Sequence, residues 1–70
     1  MELVDQLIAI LTGPNPRNAS QQLRAAGSSE DEIRGAWNYA RAAGYTESSG
    51  LGQDRLTGAG RARAAAIKNG

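Results

Sequence analysis

Apolar side chains recur at three- and four-residue spacing near the start of the chain, which predicts an amphipathic helix over residues 2–12. The apolar stripe of this helix consists of Leu3, Val4, Leu7, Ile8 and Leu11. Ile10 lies off the stripe, so we expect it to be exposed. Gly13 and Pro14 end the helix, because glycine supplies a C-cap and proline cannot continue the hydrogen-bond ladder. Residues 14–17 then form an extended connector.

Polar side chains at capping spacing predict a second helix that begins after this connector. Asn18 is a strong N-cap, and Gln21 three residues later completes a pair that resembles a capping box. Gly27 ends the helix. We expect its buried stripe to be Ala19, Leu23 and Ala26.

The third helix has the clearest start signal in the chain. Ser29 and Glu32 have the spacing of a capping box, in which each side chain bonds to the other residue's backbone N–H. The inward face then follows helical spacing through Ile33, Ala36, Trp37 and Ala40. Gly44 is expected just beyond the C-terminal end. Trp37, the only tryptophan, is expected in the core.

Two short strands separated by a glycine-rich loop predict a β-hairpin. Residues 45–48 and 54–57 form the strands, and residues 49–53 form the loop. Thr57 then caps a last helix over residues 59–68. The pattern as a whole predicts a single domain over residues 1–70 that is mainly α with a small β-hairpin, with about four helices.

The amino-acid composition argues against catalysis and metal binding. The chain has 70 residues with no Cys and no His, so it lacks disulfides, thiolate ligands and the usual general base. The Gly50–Gly52 pair lacks the sequence context of a phosphate loop. We therefore expect no catalysis, no metal and no cofactor.

No segment approaches the roughly 18 consecutive apolar residues of a membrane span. The first residues, Met-Glu-Leu-Val-Asp, lack the basic region of a signal peptide. We expect a cytoplasmic protein with no membrane partner.

Three segments in this order resemble a winged helix-turn-helix domain over roughly residues 18–66. Residues 23–29, followed by Ile33 and Trp37, look like a helix-turn-helix. Gly44-Tyr45 before the hairpin resembles the exit of a recognition helix into a wing. Residues 56–61 resemble the segment of leucine, threonine, two residues, glycine and a basic residue that follows the wing in MarR-like and PadR-like regulators.

The resemblance implies that the outward face of the third helix reads DNA. Arg34, Asn38 and Arg41 would lie there, and arginine and asparagine suit guanine, adenine and phosphate. The other expected DNA contacts are Arg55 and Gln53 on the wing and Arg24 on the second helix. Gly35, in the middle of this face, has two open explanations, which are close contact with a partner and packing within the fold.

Charge complicates the DNA hypothesis. Residues 1–35 carry three arginines against five acids, whereas residues 36–70 carry five cations against two acids. Glu30, Asp31 and Glu32 open the third helix, and carboxylates near phosphates are unfavourable. A structural explanation is that Glu32 caps the helix, that all three complement its dipole, and that Glu30 pairs with Arg34.

Two hypotheses of function follow. The first is a small non-enzymatic protein that binds duplex DNA, as a transcriptional regulator or a phage or plasmid accessory factor. A homodimer formed through the first or last helix would supply two half-sites. The alternative is a winged-helix module that binds a protein partner and no DNA. Leu3, Ile10 and Leu51 are candidate dimer or partner contacts.

Overall fold

The structure, a computed structural model, describes residues 2–50 and 52–69. Within them the chain forms four helices and one hairpin. The elements are α1 (Leu3–Thr12), α2 (Ala19–Ala25), α3 (Glu30–Ala42), β1 (Thr46–Glu47), β2 (Arg55–Leu56) and α4 (Gly58–Asn69). The expectation of a mainly helical chain with a small hairpin is confirmed. Leu51, a candidate partner contact, lies outside the described residues.

Helix α1 is the centre of the core and packs against α2, α3, α4 and β2. The buried apolar cluster consists of Val4, Leu7, Ile8, Ala19, Leu23, Ile33, Ala36 and Ala40. The largest fully buried side chains are Leu7, Ile8 and Leu23, each of which contributes about 1.5–3 kcal/mol by burial. The expectation that Ile10 is exposed is wrong, because it is half-buried and packs against this cluster.

The capping box at the start of α3 is confirmed. The backbone N–H of Glu32 donates to Ser29 Oγ at 3.1 Å, and the backbone N–H of Ser29 donates to Glu32 Oε1 at 2.8 Å. At the other end of α3, Gly44 has a φ of +81°, which the left-handed turn after a helix requires.

Two expectations for α2 are wrong. The Asn18 side chain makes no capping hydrogen bond. Ala26 is exposed, because the helix ends at Ala25 and Ala26 already belongs to its C-terminal turn. Leu23 and Ala19 are buried, as expected.

The hairpin pairs β1 and β2 antiparallel, with Thr46 opposite Leu56 and Glu47 opposite Arg55. Each strand has two residues, shorter than the four expected. The loop between them bonds elsewhere, since Gln53 Nε2 donates to the carbonyl of Pro16 at 2.7 Å. The hairpin is thereby attached to the connector between α1 and α2.

Thr57 joins the hairpin to α4. Its Oγ1 accepts from the backbone N–H of Gly60 at 3.0 Å and donates to the carbonyl of Gly44, so the expected cap is confirmed. Gly60 is buried directly beneath the chain at Tyr45. An added Cβ there would lie 2.1 Å from the Tyr45 carbonyl oxygen, which leaves space for no residue other than glycine.

Among residues 2–50 and 52–69, no helix has the length and apolar character needed to cross a bilayer.

Candidate nucleic-acid interface

The outward face of α3 is open. Arg34, Gly35 and Asn38 are exposed along it, and Tyr39 beside them is 59 % exposed. A Cβ added at Gly35 would meet no atom within 4 Å. Packing within the fold therefore does not explain this glycine.

Arg41, near the C-terminal end of α3, forms an ion pair with Asp54 of the hairpin. Its Nε and Nη2 donate to the two carboxylate oxygens of Asp54 at 3.0 and 2.6 Å. These hydrogen bonds raise the pKa of Arg41. The Asp54 side chain is only 8 % exposed, whereas that of Arg41 is 63 % exposed. The pair fixes the position of α3 relative to the hairpin.

The two expected wing contacts are in different situations. Arg55 is exposed, and its Nε donates to Glu47 at 3.0 Å, directly across the hairpin. Gln53 is half-buried, and its amide nitrogen is bonded to the Pro16 carbonyl. Arg55 therefore lies at the surface, while Gln53 holds the loop in place.

Two of the three acids at the start of α3 are engaged. Glu32 is held in the capping box, where the hydrogen bond from the Ser29 backbone lowers its pKa. Glu30 accepts two hydrogen bonds from Arg24 of α2, which lower the pKa of Glu30. This pair joins the ends of the two helices across the turn.

The expected pair between Glu30 and Arg34 is wrong, because Glu30 is occupied by Arg24. Arg34 instead lies 3.7 Å from Asp31, one turn earlier on α3. Their side chains are 72 % and 93 % exposed, respectively. An exposed ion pair at this distance contributes little to stability. Both side chains are therefore held only weakly and remain exposed at the surface.

Every arginine expected to contact DNA has a carboxylate of its own chain within 4 Å. The pairs are Arg24–Glu30, Arg34–Asp31, Arg41–Asp54 and Arg55–Glu47. Residues 17–57 contain five arginines and five acids, so this half of the molecule has a formal charge of zero. Sequence reasoning missed these pairs, three of which join residues six to thirteen positions apart.

A cleft of about 280 Å³ separates α3 from the hairpin loop. Its lining residues are Ser20, Trp37, Asn38, Arg41, Gly52, Gln53 and Asp54. Trp37 is half-buried and packs against the core, and its Nε1 donates to Ser20 Oγ at 2.8 Å. The residues of this cleft come from α2, α3 and the loop, so no local pattern could have grouped them.

A second, more apolar groove of about 480 Å³ runs between α1 and α4. Its lining residues are Ala9, Thr12, Ala64, Ala65, Ile67 and Lys68. The groove lies between the first and last helices, one or other of which was expected to form a dimer.

No protein-family model, characterised protein or solved structure matches the chain significantly.

Proposed function

We propose that this chain is a small winged-helix protein that binds duplex DNA, with α3 in the major groove and the hairpin as its wing. The observation that carries the proposal is the open face of α3, where Arg34, Gly35 and Asn38 are exposed beside the hairpin. The order of three helices, hairpin and helix agrees with it. The protein would act as a regulator or an accessory factor and would catalyse nothing.

The dimensions and chemistry of this face suit a major groove. Thirteen residues give α3 a length of about 20 Å, and a helix fits the groove, which is about 12 Å wide. Arg34 can read guanine and Asn38 can read adenine, each through two hydrogen bonds. Gly35 between them lets the helix backbone approach the bases closely.

The first test is binding to a random-sequence duplex at about 50 and 200 mM salt. Four arginines on phosphates would reduce the affinity by about 150-fold between these concentrations, since each neutralised phosphate adds about 0.9 to the salt slope. Arg34→Ala should weaken binding strongly, whereas Arg61→Ala, an equal charge change on α4 outside both the cleft and the groove between α1 and α4, should weaken it much less. Equal effects of the two variants would remove α3 from the interface.

A homodimer belongs to this proposal. The groove between α1 and α4 is the candidate interface, and a pair of chains would place two copies of α3 in successive turns of DNA, about 34 Å apart. Light scattering on the protein should give twice the chain mass of 7.3 kDa. A monomeric mass both with and without DNA would reduce the proposal to a single half-site.

One observation favours a protein partner as the second candidate. The zero charge of residues 17–57 gives α3 no general attraction for DNA, while Tyr39 and Asp31 are highly exposed. Tyrosine is enriched in the energetic centres of protein interfaces. No duplex binding at about 50 mM salt, together with capture of one protein that Tyr39→Ala fails to capture, would establish this candidate instead.

A further inference from the structure

The guanidinium of Arg41 has two hydrogen-bonding edges, and among residues 2–50 and 52–69 only one of them is used. Asp54 occupies the side edge, formed by Nε and Nη2, through both carboxylate oxygens. The end edge consists of Nη1 and the second hydrogen of Nη2. Nη1 makes no hydrogen bond to any residue of the described ranges. A second bidentate acceptor can therefore bind Arg41 without displacing Asp54.

The Asp54 side chain is itself held in a fixed position next to Arg41. It is 8 % exposed, and Thr46 Oγ1 on β1 donates to the same carboxylate at 3.5 Å. The next residue, Arg55, is paired in the hairpin. Arginine normally loses considerable rotamer freedom when it binds, and a carboxylate already in place reduces that loss.

The arginine lies at a cleft whose other polar groups suit an oxyanion. Asn38 and Ser20 line the same 280 Å³ as Arg41. The Asn38 side chain makes no hydrogen bond within residues 2–50 and 52–69, so its amide is available as a donor. Arginine binds phosphate through two parallel hydrogen bonds, and its planar end edge matches that geometry. Because Arg41 is near the C-terminal end of α3, backbone contact is expected rather than base contact.

We propose that Asp54 is a positioning residue, which holds Arg41 so that its end edge grips a backbone phosphate of duplex DNA at this cleft. The inference rests on the proposed DNA binding. The expected effect of Asp54 on DNA affinity is opposite to that of its charge, because this acid would strengthen the binding of a polyanion. A carboxylate that merely competed with DNA for Arg41 would weaken it.

The test is a double-mutant cycle on duplex affinity with Asp54→Asn and Arg41→Ala. Asp54→Asn preserves shape and raises the net charge from +1 to +2, so electrostatics alone would tighten binding. We expect it instead to weaken binding by about three- to ten-fold in the wild-type background. In the Arg41→Ala background it should leave binding unchanged or tighten it. Asp31→Asn, which removes an acid that is 93 % exposed on the same face and makes no close hydrogen bond within residues 2–50 and 52–69, supplies the electrostatic control and should tighten binding.

The outcomes separate this inference from the proposed function. Tightening by Asp54→Asn that is equal in both backgrounds, or larger in the wild type, would overturn the positioning role while leaving DNA binding intact. Absence of duplex binding by the wild-type protein would instead reject the proposed function and the phosphate site together. The three- to ten-fold loss should be the same on two unrelated duplexes, since phosphate contacts are independent of sequence. A loss on one duplex alone would overturn the phosphate assignment.

Arg41→Lys provides a second variant in case Asp54→Asn unfolds, which far-ultraviolet circular dichroism would reveal. Lysine keeps the charge but lacks the two edges of the guanidinium. We expect Arg41→Lys to bind DNA within about two-fold of Arg41→Ala. Affinity equal to the wild type would show that the charge alone suffices, and would overturn the proposal.

Discussion

Gly60→Ala is the perturbation for which the structure gives the sharpest magnitude. The added Cβ would lie 2.1 Å from the Tyr45 carbonyl oxygen and 2.8 Å from Leu56 Cδ2. Real Cβ contacts are essentially never shorter than 3.0 Å, so backbone must move by roughly an ångström. The Tyr45 carbonyl cannot move freely, because it accepts the backbone N–H of Thr57 at 3.0 Å.

Forcing a methyl group into a packed interior costs about 1–3 kcal/mol, and occasionally more. Alanine has a higher helix propensity than glycine by up to about 1 kcal/mol, which offsets part of this cost. The offset is smaller in the first turn of a helix, where Gly60 lies. The net loss should be about 2 kcal/mol. A 70-residue domain has about 3.5–10 kcal/mol of stability in total, so this loss is a large fraction of it.

Urea unfolding followed by the fluorescence of Trp37 measures the loss. With a slope of about 1 kcal/mol per molar urea, the midpoint should fall by about 2 M. Gly58→Ala is the matched control, since it lies two residues earlier in the same helix and its Cβ would meet nothing within 4 Å. Gly58→Ala should be neutral or slightly stabilising. A Gly60→Ala protein as stable as this control would refute the packing argument.

Three further predictions concern α3. Gly35→Ala should stabilise the fold by about 0.5–1 kcal/mol in thermal unfolding, because the added Cβ meets no other atom within 4 Å. The same substitution should weaken DNA binding, because the proposed interface needs the α3 backbone close to the bases. A lower stability than the wild type would contradict the open geometry around Gly35. Ser29→Ala should cost about 1 kcal/mol through loss of the capping box, and an unchanged midpoint would show that the cap contributes nothing. The pKa values of Glu30 and Glu32 are lowered in the fold, so their contribution to stability is complete above their ordinary value of 4.5 and is lost as the pH falls below it. At pH values below about 4.5 the unfolding midpoint should therefore decrease, and the decrease should be smaller in Glu32→Gln than in the wild type. A midpoint that does not depend on pH would argue against these contacts.

Most features encoded within one turn of helix were predictable from the sequence, although the expected Asn18 cap does not form. The Ser29 capping box needs two residues three positions apart, and both hydrogen bonds form as expected. The apolar stripe of α1 and the Thr57 cap likewise depend on local spacing. Such signals survive folding because the partners are adjacent in the chain whatever the tertiary structure.

Features that depend on which elements meet were not predictable. Glu30 was expected to pair along α3 with Arg34, but the turn brings Arg24 of α2 closer and the carboxylate bonds there. The amide of Gln53 bonds to a carbonyl 37 positions earlier in the chain, a contact that the spacing did not indicate. A side chain with one strong donor or acceptor binds the partner that the tertiary fold supplies, and spacing along the chain does not specify that partner.

The ion pairs that neutralise the α3 surface also hold its elements together. Arg24–Glu30 joins α2 to α3, and Arg41–Asp54 joins α3 to the hairpin. Replacing these acids to gain positive charge would therefore loosen the arrangement that presents Arg34. A neutral surface binds DNA weakly wherever base contacts are absent, because most non-specific affinity comes from phosphate neutralisation. If DNA is the partner, discrimination between sequences then depends on two side chains of the open face, Arg34 and Asn38. A dimer is the means by which so small a surface would reach useful affinity, since the second half-site binds at high effective concentration.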